Sequence, residues 1–185
     1  MDWGKFEIEI ERFPARSIEG KNIAAPAKDY LENVGLPSRC APHLHFGSFS
    51  NVYLPLLSEW PWADDWRNSY QVAITICPNA YVVGSAQHDE PIVLLPDNTS
   101  VHIFTEAGEQ LQRLNTSLEN LASTVFAFAE MVECATIECS SSVSECRVPY
   151  SLAEIFINKF LALEPSLRES NSPWVLWTNE RCKNA

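Results

Sequence analysis

The chain has 185 residues, of which 46% are hydrophobic and 11% aromatic, and this composition predicts a folded protein rather than a disordered one. Its formal net charge of −11 argues against binding to nucleic acid or to anionic lipid. No apolar run reaches the roughly 18 residues that cross a membrane. The charged first residues lack the apolar core of a secretory signal, and the six cysteines do not have zinc-site spacing. We therefore predict one soluble, cytoplasmic domain with reduced thiols.

The negative charge is concentrated in the middle of the chain. Residues 51–145 contain 13 acidic residues and only two basic ones, Arg67 and Arg113, which accounts for the whole net charge of −11. Such a field attracts a basic partner at low salt. The alternative is a solvated acidic surface that only keeps the protein soluble.

The first part of the chain is predicted to contain an extended segment and one short helix. Residues 5–13 alternate apolar and charged side chains, which is typical of a strand or of an extended arm with one buried face. Residues 26–34 begin with a proline suited to the first helical turn. They end at Gly35-Leu36-Pro37, where glycine and proline stop a helix.

The next part is predicted to be a loop followed by short strands. Residues 40–51 are rich in Pro, His, Gly and Ser and predict a loop. Residues 52–57, broken by Pro55, predict a strand or a packed connection. Residues 70–76 and 80–84 predict two strands joined by a turn at Pro78-Asn79.

Three further β-rich runs predict a meander that leads into an amphipathic helix. The runs are residues 92–95, 101–104 and 110–114. Thr116, with Glu119 three residues later, predicts a capping box at the start of the helix. One apolar stripe then follows at helical spacing over roughly four turns, formed by Leu118, Leu121, Ala122, Val125, Phe128, Ala129 and Val132. We expect this helix to cover one face of the sheet and to form the core.

The last part is predicted to be a polar connection, a second helix and a packed tail. Residues 136–147 are rich in serine and cysteine and predict the connection. Residues 149–163 predict the helix, and its main apolar face consists of Leu152, Ile155, Phe156, Phe160 and Leu163. Trp174, Val175 and Trp177 predict that the tail packs back on the domain.

The order of these motifs resembles that of a known family. A helix that ends in Gly35-Leu36-Pro37 is followed by a meander with Ile-Val-Leu-Leu-Pro-Asp and Val-His-Ile-Phe, and then by Leu-Asn-Thr-Ser-Leu-Glu at a helix start. This pattern is similar to the SUKH superfamily, most of all to the group of SUKH immunity proteins numbered four. The resemblance covers about residues 25–177. It implies an α+β fold in one domain over residues 1–185, with an arm at about residues 1–24 and a core at about residues 25–177. The core is expected to be a mainly antiparallel sheet of about five to six strands packed against helices.

The resemblance also implies a function without catalysis. SUKH immunity proteins are cytosolic and bind the toxic C-terminal domain of a contact-delivered bacterial toxin, often a nuclease or a nucleic-acid deaminase. We therefore expect a cognate toxin domain as the partner, no nucleic acid, no membrane and no cofactor, and a monomer. The alternative is a SUKH-like regulatory or scaffold module that binds another protein or peptide, and a small hydrolase is a third reading.

Two short stretches are the predicted partner-binding residues. The first combines tryptophans with carboxylates, as interface hot spots often do: Glu59, Trp60, Trp62, Asp64, Asp65 and Trp66. The second is a polar turn at a strand end: His88, Asp89 and Glu90. The alternatives are that two of the tryptophans are packing residues and that the turn is an ordinary solvated hairpin.

Catalytic and metal sites are not predicted. Cys40, His43 and His45 offer metal ligands from one loop, but a second ligand pair at suitable spacing is lacking in the sequence. Asp64 and Asp65 are adjacent, so in a strand they point to opposite faces and do not form an acid–base pair. A cysteine–histidine nucleophile assembled from distant parts of the chain stays open at this point.

Overall fold

The structure is a computed structural model that describes residues 1–40, 43–49, 51–60, 71–86, 90–96, 99–105, 110–139, 148–167 and 172–183. Its fold is α+β, as the sequence predicts. Within these ranges, none of the helices has the length and apolar character needed to span a membrane.

The centre of the fold is an antiparallel sheet of six strands in the order β3-β4-β5-β6-β7-β8. These strands are β3 (Arg39–Cys40), β4 (Leu44–Phe46), β5 (Tyr81–Ser85), β6 (Pro91–Leu94), β7 (Val101–Thr105) and β8 (Gln110–Asn115). Sequential strands are neighbours throughout, so the sheet is a meander. A separate two-stranded ribbon pairs β1 (Ile10–Glu11) with β2 (Leu36–Pro37).

Six helices accompany the sheet in the described ranges. They are α1 (Ala15–Ile18), α2 (Ala25–Asp29), α3 (Gln71–Ile76), α4 (Leu118–Cys139), α5 (Tyr150–Leu163) and α6 (Pro173–Lys183). A π-helical turn at Tyr30–Val34 extends α2, and 3₁₀ turns lie at Trp3–Phe6, Leu57–Glu59 and Pro165–Leu167.

The two faces of the sheet have different covers. Val83, Ile92 and Ile103 point to the main core, which α4, α5 and α6 close from the other side. Val82, Val93 and Phe104 point to a smaller core on the opposite face. That smaller core is completed by α3 and by the segment around the 3₁₀ turn Leu57–Glu59. Burial on both faces explains why the central strands have continuous apolar runs.

Two glycines allow neighbouring backbone segments to lie closer together than a residue with a side chain would permit. Gly35 has φ +85°, and a Cβ there would overlap the carbonyl oxygen of Glu11 on the neighbouring strand β1. A Cβ at Gly84 would lie 2.6 Å from the carbonyl oxygen of His45, so the glycine lets β4 pack onto β5. The predicted helix stop at Gly35 is therefore confirmed, and the same residue admits strand β1.

Most of the predicted elements are confirmed. The strands predicted at residues 80–84, 92–95, 101–104 and 110–114 correspond to β5 to β8, and the Pro78-Asn79 turn is present. The whole apolar stripe predicted for the main helix is buried. Trp174 is fully buried, so the tail packs back as predicted.

Three predicted elements are wrong. Residues 71–76 form helix α3 rather than a strand, and only Ala73 of this helix is fully buried. Residues 40–51 are not only loop, because β4 lies within them and β3 ends at Cys40. The main helix continues to Cys139, so the connection predicted at residues 136–147 begins later. Residues 140–147 lie outside the described ranges.

The second helix has a narrower buried face than predicted. Ala153, Phe156 and Phe160 of α5 are buried. Ile155 and Leu163, which the apolar pattern places on the buried face, are 54% and 37% exposed. The helix therefore packs through its phenylalanines and leaves one apolar edge to solvent.

Candidate partner-binding surface

The first predicted binding stretch begins at the end of the segment that covers the smaller core. Trp60 is only 3% exposed and lies edge-on against Phe49, with ring centroids 4.2 Å apart. Its indole is therefore a packing group, which was the alternative reading for two of the tryptophans. Glu59 is exposed, and its carboxylate accepts a hydrogen bond of 3.1 Å from the backbone N–H of Leu56. Trp62, Asp64, Asp65 and Trp66 lie outside the described residues.

The second predicted stretch lies between β5 and β6. His88 and Asp89 are outside the described residues, but Glu90 is described and is half-buried. The backbone carbonyl of Glu90 accepts a hydrogen bond of 2.8 Å from the N–H of Ala86, so the residues that follow β5 and precede β6 are joined. The role of this turn as a binding site stays a prediction.

Helix α4 presents an acidic outer face. Glu119, Glu133 and Glu138 are exposed, and the sequence of the helix contains no lysine or arginine. Glu130 is the exception among its acids, because its carboxylate lies 2.8 Å from the ammonium of Lys5 and 3.2 Å from that of Lys159. The hydrogen bond from Lys5 and the second from Lys159 keep the pKa of Glu130 below its usual value.

The N-terminal arm is fixed on α4 by aromatic contacts. The rings of Trp3 and Phe6 pack edge-on against Phe126, with centroid distances of 5.0 Å and 5.3 Å. The ammonium of Lys5 lies 4.4 Å from the centre of the Phe6 ring while it pairs with Glu130. The arm therefore lies against the side of helix α4.

A groove of about 660 Å³ lies between this arm, the last turns of α4 and the edge of the sheet. Ala129 and Val132 of the helix and Leu44 of β4 supply apolar lining. Ile137 lies at its border and is 73% exposed, the highest exposure among the described large apolar residues. We call this groove, which the arm, β3, β4 and the end of α4 line, the arm groove. It has the size of sites that hold a few side chains of a ligand.

The walls of the arm groove carry opposite charges. The helix wall contributes Glu133, and the sheet wall contributes Arg39, which lies opposite His45 in the pairing of β3 with β4. The arm contributes Lys5 and Glu7. Lys5 is paired with Glu130, which it shares with Lys159, so the helix wall offers Glu133 as its lining carboxylate and the sheet wall offers Arg39 as its cation.

The Asn115-Thr116-Ser117-Leu118 motif forms a buried polar cluster next to the start of α4. Asn115 donates from Nδ2 to Glu164 Oε1 at 3.1 Å and accepts at Oδ1 from the Trp174 indole N–H at 3.1 Å. The backbone N–H of Thr116 also donates to Glu164 Oε1, at 2.8 Å. The motif thus joins β8, α4, the end of α5 and α6.

The predicted capping box is wrong. Ser117, not Thr116, caps α4, since its Oγ accepts a hydrogen bond of 3.1 Å from the N–H of Asn120. The hydroxyl of Thr116 instead bonds the carboxylate of Glu164 at 2.9 Å. This partner comes from a distant part of the chain, so the local pattern did not reveal it.

The alternative of a metal site at Cys40, His43 and His45 is not supported by the geometry. Cys40 is buried, with its sulfur 3.8 Å from the carbonyl oxygen of Val125, whereas both histidines are exposed. In the described ranges, His, Cys, Asp and Glu form no group of three that would hold a metal ion. The cysteines whose side chains are described, Cys40, Cys77, Cys134 and Cys182, form no disulfide.

The sequence did not predict the arm groove. Its parts come from three distant segments, and Ile137 falls in the stretch that we predicted as a polar connection. One signal was available: Ile137 lies off the apolar stripe of α4 when the helical spacing is continued past Val132.

Comparison with known proteins gave one result. The family model described as SUKH-4 immunity protein matches residues 3–137, which include the arm, the whole sheet and most of α4. No curated protein and no solved structure matched the chain. Because the match covers well over half of the 185 residues, the chain belongs to the SUKH-4 immunity protein family.

Proposed function

We propose that this immunity protein binds the C-terminal toxic domain of a contact-delivered bacterial toxin and neutralises it by covering its active site. The partner is a basic enzyme, a nuclease or a nucleic-acid deaminase. Binding takes place in the cytoplasm, where a monomer of the immunity protein meets the toxin domain one to one. The immunity protein itself needs no catalytic residue for this role.

The observation that carries the proposal is the acidic surface in a member of an immunity family. Residues 51–145 hold 13 acidic residues against two basic ones. On α4, three of the four glutamates are exposed, and the helix sequence offers no cation of its own. Enzymes that act on nucleic acid present cationic grooves to phosphates, and a carboxylate surface of this kind is complementary to them.

The experiment that tests the proposal is a pull-down from the native cell with the tagged protein, followed by mass spectrometry. We expect recovery of the C-terminal domain of one large secreted protein. Light scattering on the purified pair should then give a one-to-one complex. Recovery of several housekeeping proteins, or of none, would contradict the proposal and favour a scaffold role.

A further inference from the structure

We propose that the arm groove receives an extended segment of the toxin domain, with one apolar side chain against Ile137 and one lysine or arginine beside Glu133. This proposal rests on the proposed function, since it assigns a docking position to the same partner.

The apolar part of the proposal follows from the exposure of Ile137. A single exposed apolar residue is ordinary on a protein surface. Ile137, however, is 73% exposed and borders a groove that Ala129, Val132 and Leu44 line with apolar atoms. A partner side chain placed there would bury Ile137 and the apolar lining together, which is the arrangement of an interface anchor.

The charged part follows from the ion pairs that already exist around the groove. Lys5 lines the groove, but its ammonium is bonded to Glu130 at 2.8 Å. Two acids, Glu7 of the arm and Glu133 of the helix, are exposed and line the groove, and Glu133 also acts electrostatically on the Lys5 ammonium. A basic side chain on the helix side therefore meets Glu133, whereas one on the sheet side meets Arg39. The charges thus fix the orientation of the bound segment.

The size of the groove limits what enters it. A volume of about 660 Å³ is that of a site for a small molecule or a few side chains, not for a whole domain. The groove also lies at the end of the sheet where β3 is the last strand. An extended segment of the partner suits this edge, because sheet edges commonly bind extended peptides.

The test measures the affinity of the toxin domain, recovered in the pull-down and purified separately, for variants of the groove. We expect Ile137→Asp and Glu133→Lys each to weaken binding by about tenfold or more. Arg39→Glu removes the repelling charge on the opposite wall, so we expect unchanged or tighter binding. All three residues are exposed or at the groove border, and thermal melting of each variant should match the parent protein.

Two matched controls lie outside the groove. Leu176→Asp makes the same kind of change at an exposed aliphatic residue of α6, the helix that bonds β8 at the opposite end of the sheet from β3. Glu154→Lys makes the same charge change at another exposed glutamate, on α5. If Ile137→Asp or Glu133→Lys binds as well as its control, or if Arg39→Glu weakens binding, the groove proposal is wrong. Failure of the unaltered protein to bind the domain would instead overturn the proposed function.

Discussion

At the scale of single residues, the buried carboxylate of Glu164 is the group that most needs hydrogen-bond partners. It is only 1% exposed and accepts hydrogen bonds from Asn115 and from both the backbone and the hydroxyl of Thr116. These donors would be left without this acceptor if the carboxylate were removed, and unsatisfied buried donors are costly. Glu164 therefore stabilises the fold by satisfying groups at the start of α4.

Glu164→Ala is expected to lower the free energy of unfolding by about 3 kcal/mol, because it leaves buried polar groups unsatisfied and opens a small cavity. Chemical denaturation measures this loss. The matched control is Glu154→Ala on the exposed face of α5, which should change stability by less than about 0.5 kcal/mol. Equal effects of the two substitutions would show that the buried cluster does not stabilise the fold.

His102 should make stability depend on pH. Burial, together with the nearby Arg113 cation, lowers the pKa of His102 from 6.5 to about 4. Between pH 6.5 and 4 the unfolded chain binds a proton that the folded protein does not, so the free energy of unfolding falls as the pH drops. Because the ring is only partly buried, we expect a slope of at most about 1 kcal/mol per pH unit.

The measurement is denaturation at several pH values for the parent protein and for His102→Gln. The glutamine can keep a hydrogen bond to Ser100, whose hydroxyl lies 2.9 Å from Nε2 of His102. We expect the variant to lose this part of the pH dependence, while the contribution of acids such as Glu130 stays common to both proteins. The same slope in both proteins would contradict the assignment to His102.

At the scale of elements, the sequence predicted those parts of the fold that local pattern determines. The strands β5 to β8 are apolar runs bounded by turn residues, and α4 has a regular apolar stripe. Helix α3 was missed because its β-branched residues favour a strand. In the structure it is a short helix that contributes Ala73 and Ile74 to the smaller core, so tertiary packing overrides the local preference.

The start of α4 gives a direct test of the cap assignment. Ser117→Ala removes the oxygen that accepts from the N–H of Asn120 and should lower the free energy of unfolding by about 1 kcal/mol. Glu119→Ala is the comparison. It removes the carboxylate that would close a capping box with Thr116, and because the Thr116 hydroxyl is bonded to Glu164, we expect only the loss of about 0.5 kcal/mol that the helix dipole gives a carboxylate in the first turn. Thermal or chemical denaturation of both variants distinguishes the two caps, and a larger loss for Glu119→Ala than for Ser117→Ala would contradict the assignment of Ser117 as the cap.

At the scale of the whole molecule, charge is the property that could be predicted best from the sequence. The total of −11 and its concentration in residues 51–145 are independent of the fold. The arm groove was not predictable, because it forms only when the arm, β3 and β4, and the end of α4 come together. Nor did the pattern reveal that Trp60 is buried, since a tryptophan beside acids suits a core and an interface equally.

The acidic surface predicts that salt slows association with the toxin domain. Raising the ionic strength from low to physiological values should lower the association rate constant by about tenfold, while the dissociation rate constant changes little. Surface plasmon resonance measures both constants. The control is Glu133→Lys, whose net charge is less negative and whose association should therefore respond less to salt. An association rate constant that does not depend on salt would contradict electrostatic steering by the acidic surface.

The most direct test of the immunity function is survival of cells that produce the toxin domain. The domain recovered in the pull-down is expressed in a sensitive bacterial host, alone or together with this protein. We predict that the domain alone stops growth and that co-expression restores it, with the two proteins co-purifying as one complex. Cells that die although the protein is soluble and present in at least equal amount would contradict the claim that it neutralises this toxin.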